Sequence, residues 1–282
     1  MPIRGLNGNR IVSSGGSLVS KTSILRQLHA GPKILVLPNA WDVASARIFE
    51  AAGFPAVATT SAGVANSLGY PDGQHVSREE MLDVIDRIVR AVSIPVTADV
   101  ESGYGDPEGT AKALADIGAA GMNLEDSATA DARELADIPT QVKIIQTVRS
   151  TADLVINART DVFLMSIGDP ATRLDRAIER LKAYQAAGAD CVFVPGVRDA
   201  ETIRALAALG RINILAVAGT PPIAELERLG VARVSIGSGA MRASMGLTQR
   251  IANELRDRGT YASFTEGAMP YADANALFKM AQ

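Results

Sequence analysis

Acidic residues in this 282-residue chain cluster at the ends of apolar runs. Asp99 and Glu101 stand two apart at the end of one run, Glu125 and Asp126 close the next, and Asn157, Arg159 and Asp161 close the one after. Residues two apart on an extended strand share a face, so each set is expected to present its polar groups together. Carboxylates on neighbouring elements repel one another unless a positive group sits among them. A hard divalent cation meets that need, and Mg2+ commonly takes one or two carboxylates, with water and substrate oxygens as the rest. We read Asp72, Asp99, Glu101 and Glu125 as that cluster. Arg159 supplies a planar fork suited to a substrate carboxylate. A lone strand-end acid is more often structural, and Asp42, Asp126 and Asp161 stay open between the two roles; Asp42 is expected at a helix start.

Residue types that are missing narrow the chemistry. The six lysines (Lys21, Lys33, Lys112, Lys143, Lys182 and Lys279) all lie away from strand C-terminal ends, which argues against Schiff-base catalysis. Cys191 is the sole cysteine and starts an apolar run, where a small buried residue is the ordinary reading. It also excludes an intrachain disulfide and a Cys-based zinc site. His29 and His75 are far apart in sequence. Gly237-x-Gly239 offers a possible phosphate loop, although tight turns also want glycine.

These groups need a scaffold, and the pattern around them supplies one. Short apolar runs at 34–38, 56–61, 96–101, 121–126, 154–161, 191–196, 214–219 and 233–238 read as strands. They alternate with amphipathic stretches at about 42–52, 78–91, 107–118, 139–151, 170–187, 199–209, 221–229 and 239–257. Ser77 with Glu80, Asp106-Pro107 and Asp169-Pro170 are helix-start signals. Eight β-then-α units imply parallel strands. A closed (β/α)8 TIM barrel over 19–258 is preferred to an open doubly wound sheet, because no glycine fingerprint follows the first strand. Reactive groups then gather at strand C-terminal ends, which adds Trp41 and Asn157 to the candidates. Residues 1–18 read as a flexible arm without the apolar stretch of a signal peptide. Residues 259–282 form an extra C-terminal helical segment whose Tyr261, Phe264, Leu277 and Phe278 need a surface to cover. Net charge is −3, which argues against a nucleic-acid partner. No run is long and apolar enough for a membrane span, so the cytoplasm is the expected location.

The segments PNAWDVASARIFEAAGF (38–54), TTSAGVANSLGYPDG (59–73), TADVESGYGD (97–106), GAAGMNLEDS (118–127) and INARTD (156–161) resemble, in order, the isocitrate lyase / phosphoenolpyruvate mutase superfamily. The resemblance spans about residues 30–245. It implies a Mg2+-dependent barrel, with Mn2+ as a possible substitute, acting on small 2-oxo or 2-hydroxy carboxylates through an enolpyruvate-type intermediate. It makes Asp99 the principal metal carboxylate, with Glu101 and Glu125 acting through water and Asp72 orienting the metal's waters. Arg159 would bind the substrate carboxylate, and Thr60, Ser61 and Ala62 would surround its oxygens. It also implies a homo-oligomer, a tetramer or dimer, with the C-terminal helix swapped between subunits.

The loop SATADARELADIP (127–139) lacks the Lys-x-Cys-Gly-His of the isocitrate and methylisocitrate lyases, and the sixth strand ends in Pro195-Gly196 rather than Pro-Glu. A loop without the Lys, Cys and His of those lyases suits chemistry that needs mainly an electron sink. Oxaloacetate-type decarboxylation is therefore favoured. Retro-aldol cleavage of 2-methylisocitrate or a substituted malate, with Glu125 or a metal-bound water as base, comes second, and C–P phosphonate chemistry third. A barrel that binds a 2-oxo acid without turning it over is the reading from a different class.

Overall fold

Each apolar run becomes a short strand, and every neighbouring pair is parallel. In chain order these are β1 (Leu35–Leu37, continued after Pro38 by Asn39–Ala40), β2 (Val57–Thr59), β3 (Val96–Asp99), β4 (Gly121–Glu125), β5 (Val155–Arg159), β6 (Cys191–Phe193), β7 (Ile212–Leu215) and β8 (Arg233–Ser235). The first half of β1 pairs with β8 through Val36 and Val234, and the second half pairs with β2 through Asn39 and Ala58. Pro38 has no N–H to give to either neighbour, so it marks the point where the strand changes partner. The sheet thereby closes on itself as an eight-stranded barrel. The computed structural model describes residues 10–12, 18–127 and 134–278. Residues 128–133 of the loop at 127–139 thus lie outside the described residues, as do parts of the N-terminal arm and Lys279.

The helices are α1 (Lys21–Ala30), α2 (Val43–Ala51), α3 (Ser61–Leu68), α4 (Arg78–Ala91), α5 (Pro107–Asp116), α6 (Ile138–Thr151), α7 (Arg173–Ala186), α8 (Ala200–Ala207), α9 (Ile223–Arg228) and α10 (Gly239–Arg258). Two short helices follow, α11 (Ala262–Thr265) and α12 (Tyr271–Ala276). Ser77 and Glu80 form the expected capping box on α4, and Asp106 accepts from the Gly109 N–H at the start of α5. Asp42 caps α2 in a reciprocal box with Ser45, so its role is structural.

The structure adds three elements to the sequence reading. Arg10–Val12 pairs antiparallel with Leu18–Ser20, so at least this part of the arm is a hairpin. Helix α1 buries Lys21, Thr22, Leu25 and His29. Leu25 packs with Leu35, Leu37, Ala58, Ala120 and Val155, closing the barrel at the strands' N-terminal end. Helix α3 occupies what reads as a loop after β2. Its Gly63 is required by close approach, since a Cβ there would meet Thr60 Cγ2 at 2.6 Å and Trp41 Cβ at 3.0 Å. The strand expected at 214–219 begins two residues earlier and ends four earlier, at Ile212–Leu215, because the chain then turns, with the Thr220 N–H donating to the Val217 carbonyl.

Candidate active site

The C-terminal ends of β2 to β5 surround a cavity of about 150 Å3, lined in part by Ser61, Asp72, Gln74, Glu101, Glu125, Ser127, Arg159 and Asp161. Asp99 lies beneath, almost wholly buried. Its Oδ2 accepts from the backbone N–H of Ser61 (3.0 Å) and from the Ser61 hydroxyl (2.9 Å), and its Oδ1 accepts from Asn123 Nδ2 (3.1 Å). Three donors therefore hold this carboxylate in one orientation. Each oxygen keeps lone-pair capacity for a further partner.

Glu101 reaches the cavity by a route that strand parity does not describe. Strand β3 ends at Asp99, and Glu101 sits in a following turn at φ +53°. Left-handed backbone at a non-glycine residue costs about 1–2 kcal/mol. Among the described residues, the other non-glycine positions in this region are Gln74, Tyr104 and Ser166. Gln74 lines the cavity, Tyr104 donates from its hydroxyl to Glu101 Oε1 at 3.3 Å, and Ser166 follows the lining residue Met165. Strain collected at one rim is a mark of function.

Burial, then the charges of Asp99 and Asp72, push the Glu101 carboxyl up to about 7. At the rim, the Asp72 carboxyl is raised by partial burial and then by Asp99, with Arg159 opposing. Burial also raises Glu125 well above its usual range; Arg159 opposes this, whereas Asp161, Asp99 and Glu101 add to it. These acids are crowded to the point of resisting ionisation, which is the electrostatic condition for a cation site. Among the described residues, however, no three of these groups converge closely enough to form a direct metal shell. The residues fit a cation held by Asp99, with Glu101, Glu125 and Asp72 acting across water, a common arrangement for Mg2+.

Arg159 is placed less freely than a bare substrate fork. Its Nε and Nη2 bind Asp161 at 2.6 and 3.0 Å, and its Nη1 lies 2.7 Å from Glu125 Oε2. Burial disfavours its charge, but the Glu125 and Asp161 carboxylates outweigh that and raise its pKa. Its guanidinium also lies 5.8 Å from the Phe193 ring centroid. Asp161 is thus a positioning group for Arg159, which leaves the Nη edge toward Glu125 as the face nearest the cavity. Asp126 has a structural role. It accepts from Arg180 (2.9 Å), the Tyr184 hydroxyl (2.7 Å) and the Asp161 N–H (3.0 Å).

The remaining candidates separate. Ser61 lines the cavity, but Thr60 spends its hydroxyl on capping α3 through the Gly63 N–H. Ala62 is half-buried in the first turn of α3, where backbone N–H groups lack helical acceptors. Trp41 packs against the core beside Gly63 rather than lining the cavity. Asn157 is wholly buried in the barrel interior, donating to Asn123 Oδ1 at 2.7 Å. The loop at Gly237 is no ready phosphate cradle, because Asn39 Oδ1 accepts from the N–H groups of both Ile236 and Gly237. Sequence reasoning missed Gln74 and Asn123. Asn123 was legible in principle, since it stands two before Glu125 on the same strand face.

The fold and its rim define a (β/α)8 barrel enzyme with an acid-ringed mouth. Across residues 25–256 the chain matches the family model described as phosphoenolpyruvate phosphomutase. A Mycobacterium tuberculosis protein described as uncharacterized is 36% identical, over 88% of this chain and 93% of its own. An oxaloacetate decarboxylase of Rhodopseudomonas palustris is 30% identical, over 87% of this chain and 88% of its own. A Burkholderia cenocepacia protein described as a lyase/mutase superposes with a TM-score of 0.85 at 35% identity, covering 93% of this chain and 96% of that one. The chain belongs to the phosphoenolpyruvate phosphomutase family, within the isocitrate lyase / phosphoenolpyruvate mutase superfamily.

Proposed function

We propose that the protein is a divalent-cation-dependent carbon–carbon lyase that releases CO2 from a small 2-oxo dicarboxylate of the oxaloacetate type. The observation that carries this is the crowding of Asp72, Asp99, Glu101 and Glu125 around Arg159 at the strand ends. When bound, Mg2+ or Mn2+ would supply charge stabilisation for the oxygen that becomes negative in the transition state. Ser61 and Asn123 hold Asp99 ready for that ion. Arg159, braced by Asp161, attracts the substrate carboxylate through its Nη edge. The Ser61 and Gly63 amides are committed to Asp99 and Thr60, so in the first turn of α3 the Ala62 N–H is the donor left for developing negative charge. Loss of CO2 leaves its bonding electron pair on the remaining three carbons as an enolate, and a proton from water completes pyruvate. The identity with an oxaloacetate decarboxylase supports this substrate class.

The test is pyruvate release from oxaloacetate, 2-methylisocitrate, dimethylmalate and phosphonopyruvate, with and without Mg2+. Mg2+-dependent turnover of oxaloacetate ahead of the other three is expected. Preference for a substituted malate or for phosphonopyruvate would replace the decarboxylase reading, and turnover of none would remove it.

We also propose that the chain assembles as a homo-oligomer through its C-terminal segment. Helix α10 buries none of its 20 residues. Met245, Leu247, Leu255, Tyr261, Phe264 and Tyr271 are all exposed along it and beyond, and large apolar groups gathered on one segment mark an interaction surface.

A further inference from the structure

Arg233 begins β8 and is wholly buried inside the barrel. Its Nη2 donates to Asn123 Oδ1 at 3.3 Å, while Nε and Nη1 find no partner among the described residues. A buried guanidinium without a carboxylate beside it carries a desolvation cost that groups further away must offset. Asn123 provides the path. Its Oδ1 accepts from Arg233 and from Asn157, and its Nδ2 donates to Asp99 Oδ1 at 3.1 Å. That pattern allows only one orientation of the amide, with its acceptor end toward the cation and its donor end toward the anion. Burial lowers the Arg233 pKa only to about 10, with Cys191 and then Asp99 opposing the lowering, so the group is charged at neutral pH.

We infer that Arg233 is the internal counter-ion of Asp99, acting through Asn123 as a positioning residue: it balances the acidic rim in the metal-free protein and, as a fixed cation, weakens the rim's affinity for a divalent ion. The second half rests on the reading of the rim as a divalent-ion site. The first half does not. The competing account is that neutral acceptors compensate Arg233, chiefly Asn213, its register partner on β7. That contribution would be independent of Asp99.

A double-mutant cycle separates the two. Arg233→Met, Asp99→Asn and the double variant are melted in chelator, with Arg233→Lys as the charge-retaining control and Arg233→Gln in place of Met should the latter not fold. Arg233→Met is expected to lower the midpoint by about 3 °C more in the Asp99 protein than in the Asp99→Asn background, as a coupled pair requires, and Arg233→Lys is expected to keep most of the difference. Equal shifts in the two backgrounds would overturn the counter-ion role. Calorimetric titration with Mn2+ reads the second half. Arg233→Met should bind several-fold more tightly than the unsubstituted protein, and equal or weaker binding would contradict it. If the unsubstituted protein takes up no Mn2+, the divalent-ion reading and this second half fall together, while the melting cycle still decides the coupling.

Discussion

Glu101 shows the cost of the acidic rim at the scale of one residue. Its carboxyl is raised to about 7 by burial and by Asp99 and Asp72, against an ordinary value near 4.3. Between those two values the folded state binds more protons at this site than the unfolded state does. Its contribution to stability is therefore unfavourable and grows as pH rises through that window. Replacing Glu101 with Gln should raise the melting temperature of the metal-free protein at pH 7.5 and change it little at pH 4.5. Thermal scans at the two values check this, and an equal effect at both would contradict it. Arg159 teaches a related lesson. A fork that appears available in sequence is already bidentate to Asp161, two residues on. Chain spacing alone leaves open whether such neighbours brace one another or both face a ligand.

At the scale of elements, the loops and helices behind the strand ends do the positioning. Asp126 ties the end of β4 to α7 through Arg180 and Tyr184 and to the chain after β5 through the Asp161 N–H. Asp126→Ala should cost about 3–5 kcal/mol, the usual penalty for stripping one partner from a buried ion pair. A urea-denaturation midpoint unchanged from that of the unsubstituted protein would show the network to be dispensable. The eight strands and the eight helices read from the sequence were legible because their apolar spacing is strong and their starts carry Asp, Ser and Pro signals. Helix α1 was not, since its buried face mixes Leu25 with Lys21, Thr22 and His29; the Lys21 ammonium is satisfied by the distant Val92 carbonyl. Helix α3 was hidden by small residues selected for close approach to Thr60 and Trp41. Residue type and strand-end position pointed to Ser61, Glu101, Glu125 and Arg159, which line one cavity, but also to Trp41 and Asn157, which do not line it. The site's geometry was not legible, because Glu101 enters from a left-handed turn and Asn123 works from below.

At the scale of the whole molecule, the barrel is closed at one end by α1 and open at the other over the acids, and α10 to α12 bury little of their own apolar surface. No described helix is long and apolar enough to cross a membrane, and the assembly proposed above would cover these side chains. A chain ending at Gly259 should remain folded yet sediment as a smaller species than the full chain. Identical sedimentation coefficients, corrected for mass, would show that the segment after Gly259 contributes nothing to assembly.

The central claim, that the acidic rim seats one divalent cation on Asp99, is tested most directly by Mn2+ titration followed by electron paramagnetic resonance, with oxalate present, on the unsubstituted protein and on Asp99→Ala. We expect one saturable site in the former and loss of at least tenfold in affinity in the latter, with both proteins folded. Absence of a site in the unsubstituted protein, or an undiminished one after the substitution, would contradict the account.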